Sequence, residues 1–194
     1  MPEPLPFRLV LASGSPARRE LLTRAGYPFE VLPANIDEPT GADVTYIRAY
    51  VQQVAWLKAE AVAAKVDDGV VLAADTVGWL DGRVIGKPDD EADARRILRT
   101  LAGREHELWT GVCLWRRPDD LQVAWQEMTV VHFKAVSEEE LDRYLATRQW
   151  QGCSGAYAIQ ERDDPFVRVV RGSMSNVIGL PLESLRRNLP LLAT

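Results

Sequence analysis

Six consecutive residues, Gly69-Val70-Val71-Leu72-Ala73-Ala74, carry no polar side chain, and the seventh is Asp75. A run this short and this apolar fits a strand covered on both faces, the pattern of a sheet flanked by helices. The strand is expected to end at Asp75, which puts a carboxylate at the edge of a buried sheet. The rest of the chain fits the same frame. Leu9-Val10-Leu11 is a short strand that stops at Ala12-Ser13-Gly14-Ser15-Pro16. Ser15 is a good N-cap and Pro16 suits the first helical position, so residues 16 to 25 are expected as a helix closed by Gly26.

Ile47, Tyr50, Val51, Val54, Leu57 and Ala61 recur at helical spacing and predict a long helix from about 44 to 65. Val77 to Leu80 and Arg83 to Ile85 flank Asp81-Gly82, a dipeptide suited to the two positive φ angles of a type I′ hairpin. Ala94, Ile97, Leu98 and Leu101 give a third helix ended by Gly103, and Glu105 to Trp115 with Leu121 to Val136 give an antiparallel hairpin. Ser137 and Glu140 have capping-box spacing ahead of a fourth helix. Ala156 to Ile159 and Phe166 to Val170 read as strands, and Val177 to Leu189 as a short helix interrupted by proline. Strands alternating with helices around a central hairpin predict an α/β protein with a mixed sheet.

Composition narrows the function classes. With 194 residues, 46% hydrophobic and 26% charged, the chain can bury a sizeable core as one domain, 1–194. Its net charge of -5 offers no global field for nucleic acid or an anionic membrane, so a polyanionic ligand needs a local basic pocket. Cys113 and Cys153 supply neither a zinc pattern nor a disulfide framework. No apolar stretch approaches the ~20 residues needed to span a bilayer and the start lacks a signal-peptide pattern, so a soluble, cytoplasmic protein is expected. The six tryptophans are scattered rather than interleaved with basic residues, which disfavours a nucleic-acid sheet and suits core or homodimer-interface positions.

Several residues can carry chemistry. The Ser13-Gly14-Ser15 turn exposes backbone N–H groups at a helix start, where an anion such as phosphate is favoured, and Arg18 and Arg19 lie in the first turn. An ordinary capped helix with solvated arginines is the structural alternative. Asp75 can act as a base, bind a metal, or simply cap a turn or pair with a lysine. Asp37 and Glu38 can complete an oxygen-rich magnesium site or be solvated loop acids. Lys58 and Lys87 can reach a phosphate chain or lie at the surface, and Gln160 can read a base edge or close a strand. His106 and His132 stand alone in β segments, read as structural or exposed residues, and are assigned no role.

Six segments in order, Leu-Ala-Ser-Gly-Ser-Pro-Ala-Arg-Arg-Glu-Leu-Leu (11 to 22), Ala-Ala-Asp-Thr (73 to 76), Gly-Lys-Pro (86 to 88), Thr-Gly-Val (110 to 112), Gly-Ala-Tyr-Ala-Ile-Gln (155 to 160) and Asn-Val-Ile-Gly-Leu-Pro (176 to 181), resemble the Maf family of nucleoside triphosphate pyrophosphatases. The resemblance spans nearly the whole chain. It implies a strongly bent mixed sheet with two lobes about a central cleft. It also implies hydrolysis of a nucleoside triphosphate to the monophosphate and pyrophosphate, with a divalent cation, Mg2+ or Mn2+. The family is associated with removal of non-standard nucleotides and with restraint of septum formation.

Carried over position by position, the resemblance makes Asp75 the acceptor of the water proton and Glu38, with Asp75, a metal ligand. Ser13, Arg18, Lys58 and Lys87 fall on phosphate-pocket positions, and Thr76 and Gln160 point to the branch acting on dTTP and UTP. One position departs from the pattern: Ala17 stands where the family has an arginine tied to substrate choice. The alternatives are the same chemistry on 7-methyl-GTP or another base, and a nucleotide-binding regulator of septum formation without catalysis.

Overall fold

The computed structural model describes residues 5–39, 44–157 and 166–193. Among these residues seven strands form one mixed sheet: β1 (Leu9–Leu11), β2 (Glu30–Val31), β3 (Gly69–Leu80), β4 (Arg83–Ile85), β5 (Glu105–Arg117), β6 (Gln122–Phe133) and β7 (Val167–Arg171). The order is β2-β1-β3-β5-β6-β7, with β4 paired to β3. β1 is parallel to β2 and β3, while the neighbouring pairs β3–β5, β5–β6 and β6–β7 are antiparallel. The mixed α/β sheet expected from the sequence is therefore present.

Among the described residues six helices flank it: α1 (Pro16–Arg24), α2 (Ile47–Ala63), α3 (Glu91–Leu101), α4 (Glu138–Ala146), α5 (Met174–Ile178) and α6 (Leu182–Asn188). Their boundaries follow local chemistry. Ser15 caps α1 with Pro16 at its first position, Asp90 caps α3, and Ser137 and Glu140 form a capping box on α4. Asp81 and Gly82 both take positive φ, 50° and 77°, in the turn joining β3 to β4, as the Asp-Gly pair demands. Pro181 separates α5 from α6.

The period of two along β3 sorts its side chains onto two layers. Val70, Leu72 and Ala74 pack with Leu21 and Leu22 of α1 and Leu185 of α6. Val71 and Ala73 pack with Ala55, Ala59 and Val62 of α2 on the opposite face. A third cluster, built on Leu98, Leu101, Phe133, Leu141 and Leu145, seats α3 and α4 against the far end of the hairpin.

Three expectations change. The strand does not end at Asp75, because β3 continues through it to Leu80 with unbroken pairing to β5, including Asp75 opposite Gly111 and Thr76 opposite Thr110. Polar side chains stay in a buried strand here because each finds a partner. The buried stripe of α2 is Ile47, Val51, Val54, Ala55, Lys58, Ala59 and Val62, so the face is rotated from the one containing Leu57 and Ala61. Lys58, rather than Leu57, faces the sheet. Ala156 belongs to a 3-10 turn, Ser154–Ala156, instead of opening a strand. Residues 158 and 159 of that expected strand, and Gln160 after it, lie outside the described residues.

Candidate active site

A cleft of about 690 Å³ opens beyond the carboxyl end of β1 and alongside the middle of β3. In open α/β sheets this end of a parallel strand is where ligands bind. Ser13, Ala17, Arg18, Glu38, Lys58, Asp75, Thr76 and Lys87 all line it. These residues, far apart in the sequence, thus meet in one place, whereas Asp37 is not among the lining residues and Gln160 lies outside the described residues. Arg19 is exposed and absent from the lining, so it does not stand in for the cation that Ala17 lacks.

The floor is a three-residue ionic contact. Asp75 and Lys58 are buried, 6% and 9% exposed. Lys58 Nζ lies 2.7 Å from Asp75 Oδ1 and 2.9 Å from Glu38 Oε1. Asp75 follows Val71 and Ala73 on the α2 side of β3, and Lys58 stands on the buried stripe of α2, so strand and helix periodicities bring the two together. A lysine is rarely buried without a partner, and here it has two. Burial works to raise the Glu38 carboxyl, but the bond to Lys58 and the charges of Lys58, Lys87 and Arg18 outweigh it and hold the group below the usual carboxylate range. Burial, reinforced by the charges of Asp75 and Glu38, pushes the nearby Tyr50 phenol up.

On the opposite face of β3, Thr76 joins a second network. Arg18 donates from Nε to the Gly179 carbonyl at 2.8 Å, from Nη1 to Ser13 Oγ at 3.1 Å and from Nη2 to Thr76 Oγ1 at 3.1 Å. Ser13 Oγ also accepts from the Ser15 amide at 3.3 Å. Thr76 and Thr110 share a hydrogen bond of 2.9 Å across the β3–β5 ladder. Gly179 ends α5 with φ of 119°, and its carbonyl is what lets Arg18 bridge α1, β3 and α5. Burial lowers the Arg18 pKa, opposed by the charges of Asp75 and Glu38. Three of the five guanidinium N–H groups are therefore committed to building the cleft wall.

Lys87 stands exposed where β4 leads to α3, on the cleft rim, and its chain neighbour Gly86 accepts a backbone bond from Gly155 at 2.9 Å. That bond ties the lysine's segment to the loop carrying Cys153, Ser154 and Tyr157, all cleft-lining. Two structural residues have partners that the sequence does not reveal. Asn176 is fully buried and donates to Thr129 Oγ1 at 2.9 Å and to the Leu108 carbonyl at 3.3 Å, which fixes α5 on the hairpin. His106, given no role, is buried with Nε2 at 2.7 Å from the Tyr157 hydroxyl. A lone histidine in an alternating strand gives no hint of a partner 51 residues on.

The donor set fits a hard divalent cation. Two carboxylates from different segments converge on one cationic atom, and magnesium sites commonly use one or two carboxylates, with water and phosphate oxygens completing the shell. Among the described residues no cluster of three or more potential ligands occurs. Among them, too, no helix is long and apolar enough to cross a membrane, and both cysteines are free.

Fold and site together define a mixed-sheet α/β protein whose cleft sets a helix N-terminus and several cations beside a pair of converging carboxylates. The sequence matches the family described as Maf-like protein over residues 8–191, and the chain belongs to that family. A dTTP/UTP pyrophosphatase of Rhodopirellula baltica is 40% identical over 183 residues, covering 94% of this chain and 81% of the relative. A dTTP/UTP pyrophosphatase of Bacillus cereus is 40% identical over 182 residues, covering 94% of each chain. The solved Ham1 protein of Staphylococcus aureus overlaps 65% of this chain and 71% of its own with a TM-score of 0.46 at 18% identity.

Proposed function

We propose that this protein hydrolyses the α–β phosphoanhydride of nucleoside triphosphates, with dTTP and UTP as its substrates, giving the nucleoside monophosphate and pyrophosphate. The observation that carries this reading is the Asp75–Lys58–Glu38 contact on the floor of a cleft whose rim is the Ser13–Ser15 turn. Relatives at 40% identity that bear the name dTTP/UTP pyrophosphatase support the choice of pyrimidine nucleotides. The chain works as one domain with two lobes meeting at the cleft, in the cytoplasm.

The chemistry follows from the residues. The triphosphate lies along the turn at the start of α1, where backbone N–H groups and the helix dipole favour an anion. Ser13 and Arg18 hold that turn in shape, and Lys58 and Lys87 supply charge to the phosphate chain. Asp75 Oδ1 is bonded to Lys58, whereas Oδ2 makes no hydrogen bond among the described residues and can accept a proton from water. The attacking oxygen forms a bond to the α phosphorus, its proton passes to Asp75, and the bond from that phosphorus to the β-bridging oxygen breaks with pyrophosphate as leaving group. Mg2+ or Mn2+ held by Asp75 and Glu38 would neutralise charge on the phosphates. Thr76 and Gln160 are the proposed contributors to base choice.

Ala17 on the cleft lining favours a second reading, the same reaction on 7-methyl-GTP or another base, because the family's arginine is missing. A non-catalytic regulator of septum formation, and assembly as a homodimer, are separate outcomes. Pyrophosphate release from dTTP, UTP, CTP, GTP and 7-methyl-GTP, with Mg2+ and with EDTA, tests all of these. Metal-dependent turnover led by dTTP and UTP supports the proposal. Turnover led by 7-methyl-GTP favours the second reading, and binding without turnover of any nucleotide favours the regulator.

A further inference from the structure

Lys58 occupies the one point toward which the two cleft carboxylates converge. Its ammonium is 2.7 Å from Asp75 and 2.9 Å from Glu38, one acid on a buried strand and the other on the loop before residue 39. Among the described residues it is the only cation bonded to either acid. Without it, two carboxylates sharing a partly buried site would repel one another, and Glu38, the more exposed of the two, would turn toward solvent. A divalent cation held by the same two oxygens would meet the ammonium at contact distance. Two like charges cannot share that position, so one must leave.

The residue type suits leaving. Only four of the chain's 23 Lys and Arg residues are lysine, at 58, 65, 87 and 134. Arginine's planar fork locks onto carboxylates with paired bonds, whereas lysine is a point charge on a flexible four-carbon stem that can withdraw. Arg18, at the same cleft, shows the contrast, because its guanidinium is fixed by three directional bonds.

We infer that Lys58 is a positioning residue that stands in for the divalent cation: it keeps Asp75 and Glu38 converged in the metal-free protein and yields them when the cation binds. This rests on the proposed nucleotide reaction for its last step, in which the released ammonium turns to the phosphate chain. Removing it alters two things at once. The pair of acids becomes a stronger cation site, and the metal-free protein loses the group that holds them together.

The test reads metal binding on the nucleotide-free protein. With four lysines, the 15Nζ spectrum of the labelled wild type holds few signals, and loss of one in Lys58→Arg assigns Lys58. Addition of Mg2+ should move or broaden that signal while Lys65 and Lys134 stay unchanged. By Mn2+ titration with EPR detection, Lys58→Met should bind at least tenfold more tightly than wild type. Lys87→Met, which removes a cleft cation that bonds to neither acid among the described residues, should change affinity less than threefold. A Lys58 signal unmoved at saturating Mg2+, a Lys58→Met affinity no tighter than that of Lys87→Met, or no cation binding at all would overturn the inference. If Lys58→Met does not fold, the wild-type spectrum alone decides. Turnover of dTTP is measured separately, so metal-dependent activity with an unmoved lysine sinks the inference and leaves the reaction standing. A responsive lysine without turnover does the reverse.

Discussion

Gly111 on β5 lies so close to the carbonyl of Val51 on α2 that a β-carbon built on the glycine would sit 2.1 Å from that oxygen. Gly111 is also the residue opposite Asp75 in the β3–β5 ladder. The absence of a side chain at 111 therefore sets how near α2 comes to the sheet, and with it the reach of Lys58 to Asp75. Gly111→Ala forces backbone apart rather than a flexible side chain. It is expected to cost about 3 kcal/mol, the upper end of ordinary overpacking, as read by urea unfolding. It should also lower turnover in the fraction that folds, because Lys58 is moved from the acids.

Arg18 offers a complementary case in which the bonds, not the space, matter. Lysine cannot reproduce three divergent donations to Gly179, Ser13 and Thr76. Arg18→Lys should destabilise the fold by about 2–4 kcal/mol, since hydrogen bonds from charged groups contribute roughly 1.5–3 kcal/mol each and some are recovered. Calorimetry should show a lower Tm, and KM for the nucleotide should rise because the Ser13 turn loses its brace. A variant with unchanged Tm and raised KM would mean that Arg18 serves the ligand alone.

The elements were largely legible from the sequence because their signals are local. Ser15-Pro16, Asp81-Gly82 and the Ser137/Glu140 box each act within a few residues, and all three sit where their chemistry puts them. The meeting of Ser13, Arg18, Lys58, Asp75 and Lys87 was legible only through the family resemblance, since nothing in spacing joins residues 13 and 87. What escaped the sequence depends on partners far along the chain. Asp75 looks like a strand end until Lys58 and the β5 ladder are known to accommodate it, and the stripe of α2 looks centred on Leu57 because a buried lysine is counted as polar. Asn176 and His106 have partners 47 and 51 residues away, and no periodicity reports such pairs.

His106 carries a pH signature. Burial lowers its pKa from 6.5 to about 4. The unfolded chain takes up the proton near 6.5 and the folded protein only near 4, so across that window the unfolded state binds more protons and stability falls as pH falls. Above 6.5 the ring is neutral in both states and adds no slope. The full effect is on the order of 3 kcal/mol. Urea unfolding at pH 7 and pH 4.5 should show a smaller loss for His106→Phe than for the wild type. Equal losses would place the acid sensitivity elsewhere.

Ala17 lines the cleft at the start of α1, one residue before Arg18. An arginine there adds a cation able to bond phosphate oxygens, and a charge-assisted bond of about 1.5–3 kcal/mol corresponds to roughly a tenfold or larger change in affinity. Ala17→Arg should lower KM for dTTP and UTP by about tenfold with a steeper salt dependence. A shift in the ranking of nucleotides instead, with KM for dTTP unchanged, would make position 17 a base-selecting site.

In the proposed reaction the bond between the α and β phosphates breaks while Asp75 accepts the water proton. Product analysis of dTTP incubated with Mg2+, for the wild type and Asp75→Asn, tests it most directly. The wild type should give dTMP and pyrophosphate in equal amounts, and the variant, which retains the shape of the side chain but not its basicity, should lose at least a thousandfold in kcat. Formation of dTDP and inorganic phosphate, or full turnover by Asp75→Asn, would contradict it.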